Sequence, residues 1–125
     1  MHKSRLGGLI IDCRTDDVHA AADFWGEALG LSAQPFDPDD PNYVQFGSGP
    51  GGLDVEVQKV DHVSRVHLDI ETDDIDAEVA RLKSLGAEFV VAFPRWTVME
   101  APTGQRFCVV NVQTADFDDE ANVWP

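Results

Sequence analysis

Residues 10–17 (IIDCRTDD) return in altered form as residues 67–74 (HLDIETDD), an offset of 67 − 10 = 57 positions. Each copy begins with an apolar run and ends in Thr-Asp-Asp. Each is followed by an amphipathic stretch that closes on Leu-Gly, at residues 29–30 and 85–86. A unit repeated twice in so short a chain indicates two similar modules packed as one domain, with a cleft where they meet. The sequence therefore predicts a functional site in that cleft.

The composition is typical of one globular domain with an acidic surface. The 125 residues, 43% of them hydrophobic, suffice for a buried core, and the longest apolar runs are too short to span a bilayer. The 9 basic and 23 acidic residues give a net charge of −14, which repels nucleic acid and anionic membranes. Because only a brief apolar run follows the basic residues 1–5, we expect no signal peptide and a cytoplasmic protein.

The first module is predicted to contain one helix and four strands. The strands are expected over residues 6–13, 32–36, 43–46 and 53–60, with a glycine-rich turn over 48–52. Thr15 or Asp16 is expected to cap the helix, and Gly30 to end it in the left-handed conformation. No helix start follows the glycine-rich turn, so it does not predict a phosphate loop.

The second module repeats this order. Strands are expected over residues 65–71, 87–93, 96–101 and 106–112, with a helix over 73–85 on which Glu78 can pair with Arg81. The two modules, over about 6–60 and 65–112, predict an α+β fold in which tandem βαβββ units form a curved, barrel-like mixed sheet with the helices outside. They make one domain of residues 1–112. Residues 113–125 are predicted to be an acidic, mobile tail, although Phe117 and Trp124 could dock it.

Four stretches carry a resemblance to a known family. They are Phe24-Trp25 with Leu29-Gly30-Leu31, and residues 66–70 (VHLDI), 82–87 (LKSLGA) and 96–110 (WTVMEAPTGQRFCVV). In their order and spacing they resemble the vicinal oxygen chelate superfamily, which includes glyoxalase I, bleomycin-resistance proteins and extradiol dioxygenases. This resemblance covers most of residues 6–112 and implies the paired βαβββ fold.

The resemblance also implies where a metal would bind. In metal-dependent members each module supplies one ligand from the strand before the helix and one from the closing strand. His67 matches the first position of the second module, whereas Ile10, its counterpart, cannot bind a metal. The closing-strand ligand, a glutamate in the family, falls at Cys108. In the first module that ligand falls at Glu56 or Gln58, and strand parity does not choose between them.

A complete metal site is therefore not expected, and a divalent metal is retained only as the alternative. A catalytic ion needs three or four ligands, so Asp12, Asp69 or Glu100 would have to join His67. Asp12 and Asp69 occupy equivalent positions in the two modules, which favours a repeated structural duty over acid–base work. Cys13 and Cys108 lie in apolar runs and are expected to be buried thiols, although a disulfide between them is left open. A nucleophilic Cys108 activated by His67 is the less favoured alternative.

The leading functional hypothesis is a protein that binds a small organic molecule in the cleft without a complete metal site. The predicted ligand-binding residues are Trp96, as an aromatic wall, with His67, Glu56, Gln58, Glu100 and Cys108. No catalytic residue is assigned. The alternatives are a metal-dependent lyase, isomerase or dioxygenase, and an interaction module that works through its acidic tail. The resemblance further implies a homodimer.

Overall fold

A computed structural model describes residues 1–47 and 49–125 of the chain. Eight strands, β1 to β8, span His2–Arg14, Tyr43–Gln45, Asp54–Val60, Arg65–Thr72, Glu88–Ala92, Trp96–Glu100, Arg106–Asn111 and Asn122–Trp124. Three helices, α1 to α3, span Val18–Leu29, Ile75–Ser84 and Phe117–Glu120. Among the described residues no helix combines the length and apolar character needed to cross a membrane. The chain divides into a first unit, residues 8–66, and a second unit, residues 1–7 with 67–125.

The first unit contains the strand order β2-β3-β1 and one helix. The part of β1 in this unit pairs in parallel with β3, and β2 pairs with β3 in antiparallel fashion. Alternation along the strands sends one set of side chains toward α1. These residues form an apolar core whose buried members are Ile11, Val18, Ala22, Val44, Phe46, Val55 and Val57.

Helix α1 begins one residue later than the sequence predicted. Asp17, rather than Thr15 or Asp16, is the N-cap, and its Oδ1 accepts hydrogen bonds from the backbone N–H groups of His19 and Ala20. The Thr15 hydroxyl instead accepts a bond from the N–H of Asp17 and so supports the cap. Gly30 ends the helix with φ +70°, as predicted, because glycine adopts this conformation without a steric penalty.

The second unit repeats the topology of the first and adds the edge strand β5, whose counterpart in the first unit is reduced to one bridge, between Ala33 and Phe46. Its parallel pair is β4 with β7, and β6 and β5 follow in antiparallel order. Helix α2, capped by Asp74, covers a core whose buried members are Leu82, Ala87, Met99 and Val109. The predicted α+β fold of two βαβββ modules is therefore confirmed.

The expected strand over residues 32–36 is not formed. Only Ala33 makes a bridge, to Phe46, since Pro35 offers no N–H to a strand partner. In the predicted turn over 48–52, Ser48 lies outside the described residues, and Pro50–Gly52 form a 3-10 turn.

The prediction that residues 113–125 form a mobile tail is wrong. The segment contains α3 and β8, and β8 pairs in antiparallel fashion with the start of β1. The Phe117 side chain is 2% exposed, and the Trp124 indole donates a hydrogen bond of 2.8 Å to the Ser4 hydroxyl. Acidic composition indicated disorder, but these two aromatic residues bury enough surface to order the segment.

A buried carboxylate anchors this segment to the second unit. Glu71 is fully buried, and its Oε1 accepts hydrogen bonds of 3.0 Å and 3.1 Å from the backbone N–H groups of Gln113 and Thr114. Arg5 lies beside it, with Nε 3.3 Å from Glu71 Oε2. A Cβ on Gly7 would lie only 2.7 Å from Glu71 Cγ, so the glycine makes room for the carboxylate.

Candidate functional site

The candidate site lies on the sheet face of the second unit that points away from α2. Ile70, Met99 and Val109 pack into the α2 core, so the residues that alternate with them point the opposite way. We call this surface the helix-free face. Its members from β4, β6 and β7 are His67, Asp69, Trp96, Val98, Glu100, Arg106 and Cys108.

Three potential metal or proton ligands converge at the centre of this face. One ligand atom each of His67, Asp69 and Cys108 lies within 4.8 Å of the other two. The parallel register of β4 and β7 places Asp69 directly opposite Cys108, and His67 is two residues earlier on β4. The site therefore depends on the pairing of two adjacent strands, and strands hold side chains more precisely than loops do.

The Asp69 carboxylate is buried without full hydrogen bonding. Its Oδ1 lies 3.4 Å from His67 Nε2, but it has no hydrogen-bond partner within residues 1–47 and 49–125. The His67 side chain is 12% exposed, and Cys108 is half buried. An unsatisfied buried carboxylate oxygen is unfavourable, so the site is suited to a group that supplies positive charge or a donor.

The other predicted residues of this unit flank the triad. Trp96 is half buried and stacks on Phe93, with ring centroids 4.7 Å apart and planes inclined by 25°. Glu100 pairs with Arg106 across β6 and β7, with Arg106 Nε 2.9 Å from Glu100 Oε1. The aromatic pair gives the face an apolar end, and this ion pair gives it a charged one.

Glu56 and Gln58 lie in the first unit, whereas His67, Asp69 and Cys108 lie in the second. Glu56 is buried, and its Oε1 accepts a hydrogen bond of 2.6 Å from Gln45 Nε2. Asp12 pairs with Gln58 in the same way as Asp69 pairs with Cys108, and 69 − 12 = 57, the repeat offset. The structure therefore makes Gln58, and not Glu56, the counterpart of Cys108.

Asp12 has a charged environment of its own. It is 2% exposed, and its Oδ2 lies 3.7 Å from Arg65 Nε and 4.0 Å from His62 Nε2. In the first unit the three positions are thus Ile10, Asp12 and Gln58, where the second unit has His67, Asp69 and Cys108. The equivalent aspartates therefore have different neighbours in the two units.

An open cavity of about 410 Å³ lies in the first unit. Its lining consists of Arg14, Thr15, Asp16, Val60 and Asp61. None of the six residues predicted from the sequence to bind a ligand is among them. We therefore base the candidate site on the chemistry of the helix-free face.

The donor set of the helix-free face fits a divalent metal, but it differs from the set that the family resemblance implies. An imidazole, a carboxylate and a thiol are all ligands of zinc-type ions, and three protein ligands leave a position open. The resemblance implied a glutamate where Cys108 stands and a further ligand where Ile10 stands. Asp69, from the same unit, would supply the third ligand.

The sequence named His67, Trp96, Glu100 and Cys108 as candidate ligand-binding residues, whereas Asp69 was expected to be mainly structural. Its i,i+2 spacing from His67 on a strand was the signal that both side chains share a face. Phe93 and Arg106 were not proposed, because stacking on Trp96 and pairing with Glu100 depend on a hairpin register that the sequence alone does not fix.

The comparison with known proteins agrees with the topology. The model of the glyoxalase-like domain matches residues 8–110, most of the chain. The chain belongs to the glyoxalase-like domain family. This places it in the vicinal oxygen chelate superfamily, as the sequence resemblance implied. No curated protein matches the sequence.

Solved structures with this fold include enzymes of different kinds. A glyoxalase/bleomycin resistance protein/dioxygenase superfamily member from Vibrio splendidus is 17% identical, with a TM-score of 0.56 over 87% of this chain and 99% of that one. Methylmalonyl-CoA epimerase from Mycobacterium tuberculosis is 16% identical, with a TM-score of 0.60 over 86% of this chain and 87% of that one. Homoprotocatechuate 2,3-dioxygenase from B. fuscum is 15% identical, with a TM-score of 0.59 over 89% of this chain and 32% of that one. At these identities the likeness concerns the fold alone.

Proposed function

We propose that this glyoxalase-like protein binds a small organic molecule on the helix-free face of its second unit. The observation that carries the proposal is the convergence of His67, Asp69 and Cys108 within 4.8 Å on a half-buried surface next to Trp96. Apolar walls with a few converging polar groups are the usual composition of a ligand site. The apolar part of the ligand would contact Trp96 and Val98, and its polar end would meet the triad.

The charge of the protein favours a basic ligand. The net charge of −14 raises the local concentration of cations. At the charged end of the face, the half-exposed Glu100 carboxylate would accept a hydrogen bond from an ammonium group. We therefore propose an amine-bearing aromatic compound as the ligand class.

A thermal-shift screen with basic aromatic compounds tests this proposal. A ligand present at about 100 times its Kd adds about 2.7 kcal/mol to the free energy of unfolding, which raises the Tm by several degrees. Trp96→Leu should reduce the shift, because it removes the aromatic contact. Phe89→Leu is the matched control, since Phe89 is 49% exposed on β5 and should leave the shift unchanged. The absence of a shift with every compound, or equal shifts in both variants, would contradict the proposal.

A second candidate function is a metal-dependent lyase, isomerase or dioxygenase. The observation that favours it is the same triad, because its three donors leave a coordination position for substrate oxygens. The solved structures of this fold named above include an epimerase and a dioxygenase, which supports this class but no single reaction. The test is turnover of vicinal-oxygen substrates by metal-loaded protein. His67→Gln should abolish the turnover, and activity that survives this change would contradict the hypothesis.

A further inference from the structure

We infer that His67, Asp69 and Cys108 form a thiolate-containing site for a borderline-soft divalent ion of the Zn²⁺ type, complete within the second unit. The inference rests on the site proposed above, but on neither a particular ligand nor a reaction. It differs from the family expectation in two respects. The ligands come from one module rather than two, and a thiolate replaces a carboxylate.

The geometry allows one ion to reach all three donors. With Zn–S near 2.3 Å and Zn–N or Zn–O near 2.1 Å, tetrahedral ligand atoms lie roughly 3.5 Å apart. The three ligand atoms already lie within 4.8 Å of one another, and His67 Nε2 is 3.4 Å from Asp69 Oδ1. Small side-chain rotations would close the remaining gap, with no change in the pairing of β4 and β7.

The burial of Asp69 indicates that something positive belongs there. The residue is 6% exposed, and its Oδ1 has no hydrogen-bond partner in the part of the chain that the structure describes. A carboxylate oxygen of the same residue belongs to the cluster of donors with the imidazole and the thiol. A cation bound between them would satisfy the carboxylate directly, as buried charges require.

The donor types determine which ions fit. Thiolate and imidazole favour Zn²⁺ and Co²⁺, whereas Mg²⁺ and Ca²⁺ require oxygen ligands. With one carboxylate as the only oxygen donor in the triad, Mg²⁺ should bind far more weakly than Zn²⁺. The first unit supplies an internal contrast, because Ile10 and Gln58 stand at the positions of His67 and Cys108.

Cobalt spectroscopy on the full-length, metal-free protein tests the inference. Co²⁺ should give a thiolate-to-cobalt charge-transfer band in the near ultraviolet, together with the intense visible bands of a tetrahedral site. Both should saturate at one equivalent, disappear on addition of Zn²⁺ and persist with excess Mg²⁺. Saturation without the charge-transfer band, or displacement by Mg²⁺, would overturn the inference.

Matched variants assign the ligands. Cys108→Ser should remove the charge-transfer band, whereas Cys13→Ser should retain it. His67→Gln and Asp69→Asn should weaken Co²⁺ binding by more than about 100-fold, a loss larger than that of a supporting residue, while His62→Gln and Asp12→Asn should not. A band that survives Cys108→Ser but not Cys13→Ser would refute the assignment.

Alkylation of the unaltered protein provides a measurement that does not depend on how the variants fold. Zn²⁺ should protect Cys108 from iodoacetamide and leave the rate at Cys13 unchanged, whereas equal rates at Cys108 with and without Zn²⁺ would overturn the inference. Both readouts are independent of the organic ligand. A failed compound screen with positive cobalt spectra would therefore refute only the proposed ligand, and the reverse result would refute only the metal site.

Discussion

At the residue scale, buried ionisable groups have distinct duties in this protein. Glu71 fixes the C-terminal segment by accepting hydrogen bonds from its backbone N–H groups. Glu78 contacts the side chains of Arg81 and His2. Asp69, in contrast, keeps an oxygen without a hydrogen-bond partner among the described residues. This difference supports the proposed ligand site at Asp69.

Glu78 shows how the sequence predicted one contact of a larger cluster. The predicted pair with Arg81 is confirmed as a bidentate contact, with bonds of 2.8 Å and 2.9 Å. His2 Nε2 also lies 2.8 Å from Glu78 Oε1, and Arg81 lies over the Trp124 ring at 3.9 Å. The i,i+3 spacing identified the first contact. The others join residues more than 40 positions apart, which no local pattern predicts.

The Glu78 cluster predicts acid sensitivity. Burial by itself raises the pKa of this carboxyl, but hydrogen bonds from Arg81, His2 and Ser4 outweigh it, so the pKa is lowered in the folded state. The resulting stabilisation is present above the ordinary glutamate pKa of about 4.3 and is lost as the pH falls through the lower, folded-state value. Glu78→Gln should cost about 1.5–3 kcal/mol at neutral pH and flatten the fall in stability on acidification.

Denaturant unfolding at a series of pH values measures this effect. The exposed Glu27, on α1, supplies the control variant Glu27→Gln, which should follow the unaltered protein at every pH. A Glu78→Gln protein that loses stability with acid as steeply as the unaltered chain would show that another group is responsible.

At the element scale, the strand pairings explain both the success and the limits of sequence reasoning. Alternation and helix periodicity predicted the long elements, because they depend on one face being buried. The register of the strands decided which residues lie opposite one another. It made Gln58 the counterpart of Cys108 and placed Asp69 opposite that cysteine. Register depends on pairing between distant strands, so parity alone left Glu56 and Gln58 undecided.

The C-terminal segment is expected to contribute to stability, contrary to the sequence prediction of a mobile tail. Phe117 is 2% exposed, so Phe117→Ala should destabilise the protein by about 3–5 kcal/mol. Phe24→Ala is the control, because Phe24 is 62% exposed and should cost much less. Thermal unfolding of the two variants decides the matter. Equal melting temperatures of the Phe117→Ala and Phe24→Ala variants would indicate that the segment contributes nothing to stability.

At the scale of the whole molecule, charge and exposed apolar surface have opposite effects on self-association. The family resemblance implies a homodimer, which we retain as a proposal. Strand β5, at the end of the strand order, exposes Phe89 and Val91, and edge strands of this kind favour pairing with a second copy. The net charge of −14 opposes such contacts at low salt.

Sedimentation analysis at low and physiological salt measures the equilibrium between monomer and dimer. We expect a mass of twice 13.7 kDa at physiological ionic strength and a larger monomer fraction in dilute buffer, where the charges are less screened. Phe89→Lys should shift the equilibrium toward the monomer, and Phe24→Lys on α1 is its control. A monomer at every salt concentration would remove the dimer proposal.

Strand β1 supplies residues 2–7 to the second unit and residues 8–14 to the first. Cutting the gene between the repeats, near residue 64, would therefore leave the C-terminal fragment without a portion of itself. That fragment should need a synthetic peptide of the first seven residues, added in trans, to regain its native state. The boundary between the sequence repeats therefore differs from the boundary between the two compact units.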